Sequence, residues 1–167
     1  MRFAAAALGL GAVVTATAAA LVWALTGTPP PTSVARGETV AGPGWEFSDA
    51  AVASTDRGPA GEAPEGTRWV VLEFTIAARA PLAPDRLGCT VVFRAGRLVW
   101  RPDNAALPVA GGSTCYGLVR GPNRLAYSVT VPSGLADQVV AEVTVSPDGD
   151  DPSLRWFGGE SVLLVSG

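Results

Sequence analysis

From Thr39 to the end of the chain, apolar side chains recur at every second position between turn residues, and no run has the 3.6-residue spacing of an amphipathic helix. That pattern restricts the fold more than any other feature, because a two-residue period suits strands that bury one face. It is plainest in residues 68–78, where Val70, Leu72, Phe74 and Ile76 face one way and Trp69, Val71, Glu73 and Thr75 the other. Leu87, Cys89, Val91 and Phe93 share the next face, and Ala95-Gly96 turns that run into Arg97-Leu98-Val99-Trp100-Arg101 as a hairpin. A run over residues 112–119 carries Cys115, Tyr116 and Leu118. The turn at residues 120–123 then leads to Leu125, Tyr127, Val129 and Val131 on one face. Residues 44–54 open the series, and residues 138–146 and 154–165 close it. Residues 55–66, 102–111 and 146–153 read as loops, and residues 133–137 as a single helical turn. Seven to nine short strands over about 130 residues predict an all-β sandwich rather than a fold of alternating strands and helices.

The N-terminus predicts an address. Residues 3–25 carry no charge and only Thr15 and Thr17 as polar members. As a helix these 23 residues reach roughly 34 Å, enough to cross a hydrocarbon core of about 30 Å. Arg2 lies on the N-terminal side, which favours an N-in, C-out orientation. Two readings stay open for residues 1–26: an uncleaved signal-anchor helix or a cleaved signal peptide. Ala16-Thr17-Ala18 and Ala18-Ala19-Ala20 fit a cleavage site, but the apolar run continues through Leu25, with Trp23 placed as an interfacial anchor. Residues 27–38, with Pro29-Pro30-Pro31, read as a semi-rigid spacer. Residues 39–167 are then the exported domain. The expected location is the cell membrane, single-pass with the C-terminal domain outside the cytoplasm, or release into the medium after cleavage.

Composition removes whole classes of chemistry. The chain has 12 basic residues, all arginine, against 15 acidic ones, with no lysine and no histidine. Without Arg2 the balance is 11 against 15, and phosphate backbones need clustered positive charge, so no nucleic-acid partner is expected. Lack of histidine excludes Ser-His-Asp triads and His-bearing zinc sites. Lack of lysine excludes Schiff-base chemistry, Ser-Lys dyads and a P-loop. The acidic stretch Asp148-Gly149-Asp150-Asp151-Pro152 offers oxygen ligands of the kind calcium takes, but reads as a solvated turn because it lacks the spacing of a calcium loop. No cofactor, no metal and no catalytic residue are expected, and the chain is read as a non-enzyme.

Cys89 and Cys115 are the only cysteines, and in an oxidising compartment two cysteines on predicted strands pair. Their spacing is not that of a redox-active Cys-x-x-Cys motif. Trp100 follows Cys89 by eleven residues, as in immunoglobulin domains, but the second cysteine comes too early for a bridge of the antibody type.

Gly44-Trp45-Glu46-Phe47, the run from Gly66 through Trp69-Val70-Val71-Leu72 to Thr75, the Phe93-Arg94-Ala95-Gly96-Arg97 hairpin and the strand end Val129-Thr130-Val131-Pro132 occur in an order that resembles the telokin-like, immunoglobulin-fold family of bacterial extracellular proteins. The likeness covers residues 39–165 or so. It implies an immunoglobulin-like sandwich, export and no catalytic residues. The Cys89–Cys115 pair and the Trp100-Arg101-Pro102-Asp103 segment depart from the family pattern. Aromatic and arginine side chains on a strand face are enriched at interfaces, so Trp69, Trp100, Arg97 and Arg101, with Asp103 and Asn104 in the following loop, form the candidate interaction surface. The competing reading makes the tryptophans core filler. The expected function is a membrane-tethered interaction module with an envelope protein as partner. The alternative is a secreted ligand-binding or immunogenic protein.

Overall fold

The alternating runs are strands. The computed structural model describes residues 31–80, 82–102, 118, 120–147 and 161–167. They form β1 (Thr32–Val34), β2 (Val40–Gly42), β3 (Trp45–Thr55), β4 (Arg57–Gly58), β5 (Gly61–Glu62), β6 (Thr67–Ala78), β7 (Leu87–Ala95), β8 (Leu98–Trp100), β9 (Pro122–Pro132), β10 (Val140–Pro147) and β11 (Ser161–Ser166). The predicted helical turn is a 3-10 helix over Ser133–Gln138, and a shorter one spans Pro84–Arg86. The predicted strand at residues 112–119, except Leu118, and the acidic stretch at residues 148–152 lie outside the described residues. So do residues 1–30, over which the membrane helix or signal peptide is expected. No helix among the described residues is long and apolar enough to cross a membrane.

Two sheets pack face to face. One runs β1-β11-β10-β7-β8 and the other β2-β3-β6-β9. The inner face of the second sheet is made by Phe47, Val70, Leu72, Phe74, Ile76, Leu125, Tyr127, Val129 and Val131, all buried. That of the first is made by Leu87, Cys89, Val91, Phe93, Ala141, Val143, Val145, Leu163 and Val165. All belong to one hydrophobic cluster, so the alternation read from the sequence is the burial of a shared core. Phe47, Phe74 and Tyr127 stack in a row across β3, β6 and β9, with centroids 4.8 and 5.8 Å apart.

Three features depart from the sequence-based expectation. Thr32–Val34, inside the expected spacer, is a strand paired in parallel with β11, and Val34 is buried, so part of the expected spacer belongs to the sheet. Residues 55–66 are not all loop, because β4 and β5 form a small antiparallel hairpin there. In β3 the register against β6 shifts between Ser48 and Ala51, and Asp49 takes a left-handed backbone with φ 54°. That bulge moves the buried positions from the odd residues Trp45 and Phe47 to the even residue Ala50.

Candidate functional site

β7 and β8 are joined by the two residues Gly96 and Arg97, with Gly96 at φ 58°. A positive φ at the first turn position suits a two-residue turn whose twist matches the strands, and glycine adopts it without strain. The turn sets the register Ala95–Leu98, Arg94–Val99 and Phe93–Trp100. β8 is the end strand of its sheet, and no described strand pairs with its far side.

The three residues of β8 face two environments. Trp100 is half-buried and packs on the core, on the face of Phe93. Leu98, on the same side but beyond the core, is 51% exposed, and Val99 on the outer side is 47% exposed. They are the large apolar residues that the described part of the chain leaves in solvent. Arg97 and Arg101 flank them, both exposed. Alternation places Val99 on the outer face of the sheet and Leu98 and Trp100 on the inner one, with Arg97 in the turn before β8 and Arg101 directly after it.

These two arginines differ from most others. Arg57 pairs with Glu62, Arg68 with Asp56, Arg79 with Glu46, Arg94 with Glu142 and Arg124 with Glu73, at 2.6 to 3.0 Å. Arg94, beside Val99, grips Glu142 through both Nε and Nη2, at 2.7 and 3.3 Å. Arg97 and Arg101 have no carboxylate partner among the described residues. Arg36, Arg86 and Arg120 share that state but flank no exposed large apolar side chain. Among the described residues β8 is thus an edge strand with apolar side chains on both faces and an arginine at each end.

Trp69 is not part of this surface. It lies on the other sheet, 6% exposed, and its ring is covered by Gly58 of the β4–β5 hairpin. Its Nε1 and the Oγ of Ser128, a serine fully buried on the adjacent strand, both lack a hydrogen-bond partner among the described residues. For Trp69 the core reading holds and the surface reading does not. Asp103 and Asn104 lie outside the described residues. The structure therefore brings together Arg97, Trp100 and Arg101 from the predicted set and adds Leu98 and Val99. Their signal was in the sequence: three consecutive apolar residues on a strand cannot all face one core.

Among the described residues, two clefts compete with this edge. One, of about 290 Å³, is lined by residues 56–57 and 62–67; its Asp56 and Glu62 are each already paired with an arginine. The other, of about 280 Å³, lies between β3 and the 3-10 turn, where Ser54 donates to Asp137 at 3.0 Å. No group of three or more metal-ligating side chains occurs among the described residues. No described cysteine is free; Cys89 lies on the inner face of β7 with its Sγ 3.9 Å from the Tyr127 hydroxyl, while Cys115 is outside the described residues. Burial pushes the Tyr127 phenol up to about 12.

No protein-family model matches the chain, and no curated protein or solved structure matches it either. The functional reading therefore rests on the residues themselves.

Proposed function

We propose that the chain is a non-catalytic interaction module of the bacterial cell envelope, held at the membrane by its N-terminal segment and engaging a protein partner through β8. The observation that carries this reading is the edge itself: Leu98 and Val99 exposed between two arginines that have no carboxylate partner among the described residues. Unpaired strand edges are usually blunted or covered, because they pair with other chains. An edge left apolar suits recognition.

An immunoglobulin-like form of the sandwich is included in the proposal. It is supported by the strand order, with β3, β6 and β9 in one sheet and β7, β10 and β11 in the other, and β8 added beside β7. The resemblance of the sequence to telokin-like extracellular proteins is the second ground for this form. We also propose that Cys89 and Cys115 are bridged, since they are the only cysteines and Cys89 is not a free thiol.

A photo-reactive residue placed at Val99 in the full-length protein, in intact cells, tests the reading. A discrete protein adduct from Val99, with none from the exposed Thr90 on the neighbouring strand, is the expected result. Labelling that is equal at both positions, or absent from Val99 across growth conditions, would remove β8 as the site. Recovery of the protein from the medium with its first twenty or so residues missing would replace tethering with release.

A further inference from the structure

The open edge has a chemistry of its own, and it selects a class of partner. The inference rests on the interaction-module reading and deepens it. We propose that β8 recognises an extended segment with alternating acidic and apolar residues, which adds as a new strand beside Val99.

The backbone provides the first half of the argument. Ala95 and Leu98 close a two-residue turn, so they are a hydrogen-bonded pair. Bonded and non-bonded pairs alternate in an antiparallel ladder, which makes Arg94–Val99 the non-bonded pair. The N–H and C=O of Val99 therefore point away from β7, toward the side on which no described strand lies. One donor and one acceptor stand ready for an incoming strand at the centre of the exposed apolar pair.

The side chains provide the second half. An added strand would lay alternate residues beside Val99 on the outer face, with Arg97 and Arg101 at the two ends of the strand within reach, and the others beside Leu98 and Trp100 on the inner one. The outer positions call for carboxylates, because both arginines lack one among the described residues. The inner positions call for apolar side chains, to cover Leu98 and the exposed half of Trp100. The pattern demanded of the ligand is thus period-two, acidic on one side and apolar on the other.

The same geometry argues against a second copy of this chain as the occupant. Two β8 strands pairing antiparallel about Val99 would set Arg97 of each opposite Arg101 of the other. Like charges directly opposed across strands are destabilising. Neutralising partners are favoured over self-pairing.

The test uses the full-length protein in a lipid nanodisc and a capped eight-residue peptide of alternating glutamate and valine. Expected is a Val99 amide that exchanges rapidly without peptide and slowly once the peptide is bound. An arginine–valine peptide and a block peptide with the same glutamates and valines should not bind. Arg97→Glu combined with Arg101→Glu should weaken binding about ten-fold, two exposed charge pairs being turned from attractive to repulsive. Val99→Pro removes the outward N–H while leaving the β7 ladder intact, since proline is tolerated where an edge N–H faces solvent; it should abolish binding with the fold unchanged. The proposal is overturned by a Val99 amide already protected without peptide, by binding insensitive to both variants, or by concentration-dependent self-association through β8. An adduct from Val99 in cells without any affinity for the glutamate–valine peptide would overturn strand addition while leaving the interaction-module reading in place.

Discussion

Gly58 gives the sharpest test of how the second sheet is closed on its outer side. A Cβ built on Gly58 would clash with Cγ and Cδ2 of the Trp69 ring and lie 2.6 Å from Cδ1. Alanine therefore forces either the β4–β5 hairpin off the indole or the indole out of its place on β6. A buried tryptophan removes about 150–250 Å² from water. Exposing one ring face, about 100 Å², costs about 2.5 kcal/mol at roughly 25 cal/mol per Å². Keeping the hairpin down and shifting the ring instead costs about 1–3 kcal/mol of overpacking. Either route predicts that Gly58→Ala lowers unfolding free energy by about 1–3 kcal/mol in urea titration. Gly134→Ala is the matched control: a Cβ there meets open space, and the change should be neutral or stabilising by up to about 1 kcal/mol. The double-mutant cycle with Trp69→Leu assigns the cause, because without the indole the cost of Gly58→Ala should fall below about 0.5 kcal/mol. A Gly58→Ala protein as stable as the parent, or equally destabilised with and without Trp69, would refute the reasoning.

Tyr127 should make stability fall in alkali. Its phenol is raised to about 12 by burial, against about 10 when unfolded, so the stabilising contribution is complete below pH 10 and is lost as pH rises toward 12. The loss should approach 2–3 kcal/mol by about pH 12 and be missing in Tyr127→Phe, measured by urea unfolding at each pH. Reducing the proposed Cys89–Cys115 bridge, which closes a loop of 26 residues, should cost about 3.5 kcal/mol. A thermal scan with and without reductant, with Cys89→Ser as a second route, measures it; no change would mean the bridge is not formed. At the β3 bulge, Asp49→Gly should be neutral or slightly stabilising, and Asp49→Val should cost about 1–3 kcal/mol, because a β-branched residue resists φ 54°.

What the sequence discloses and what it hides divide along one line, local against non-local. The faces of β6, β7 and β9 are legible because Val70 to Ile76, Leu87 to Phe93 and Leu125 to Val131 each repeat a two-residue pattern within one strand. β1 leaves no such trace: three residues after a proline run become a strand through their pairing with Leu163, Leu164 and Val165, far along the chain. β4 and β5 are two residues each, too short for any period, and are recognisable only by what Gly58 covers. The bulge hides because Ala50 and Ala51 are both small, so the change of phase at Asp49 makes no break in the apolar pattern. At the candidate site the turn glycine and both arginines were legible. The run Leu98-Val99-Trp100 foretold that Val99 would face away from the core, but not that Leu98, on the core-facing side, also stays in solvent, because exposure at a sheet edge depends on which strands come to lie beside it.

The parallel pairing of β1 with β11 has a mechanical consequence. The chain reaches β1 at Thr32, beside Leu163, and leaves β11 after Ser166, beyond the partner of Val34. Tension applied to the chain before Thr32 and after Ser166 would drag the two strands along their lengths in opposite directions. The cross-strand bonds of the three register pairs would then bear the load together, in shear, instead of breaking in succession like the teeth of a zipper. Val34, buried at the end of β1, would have to leave the core before the strands could slide. Pulled in this direction, the domain should resist force far better than its three-residue first strand suggests, and should yield in one step when that clamp gives way.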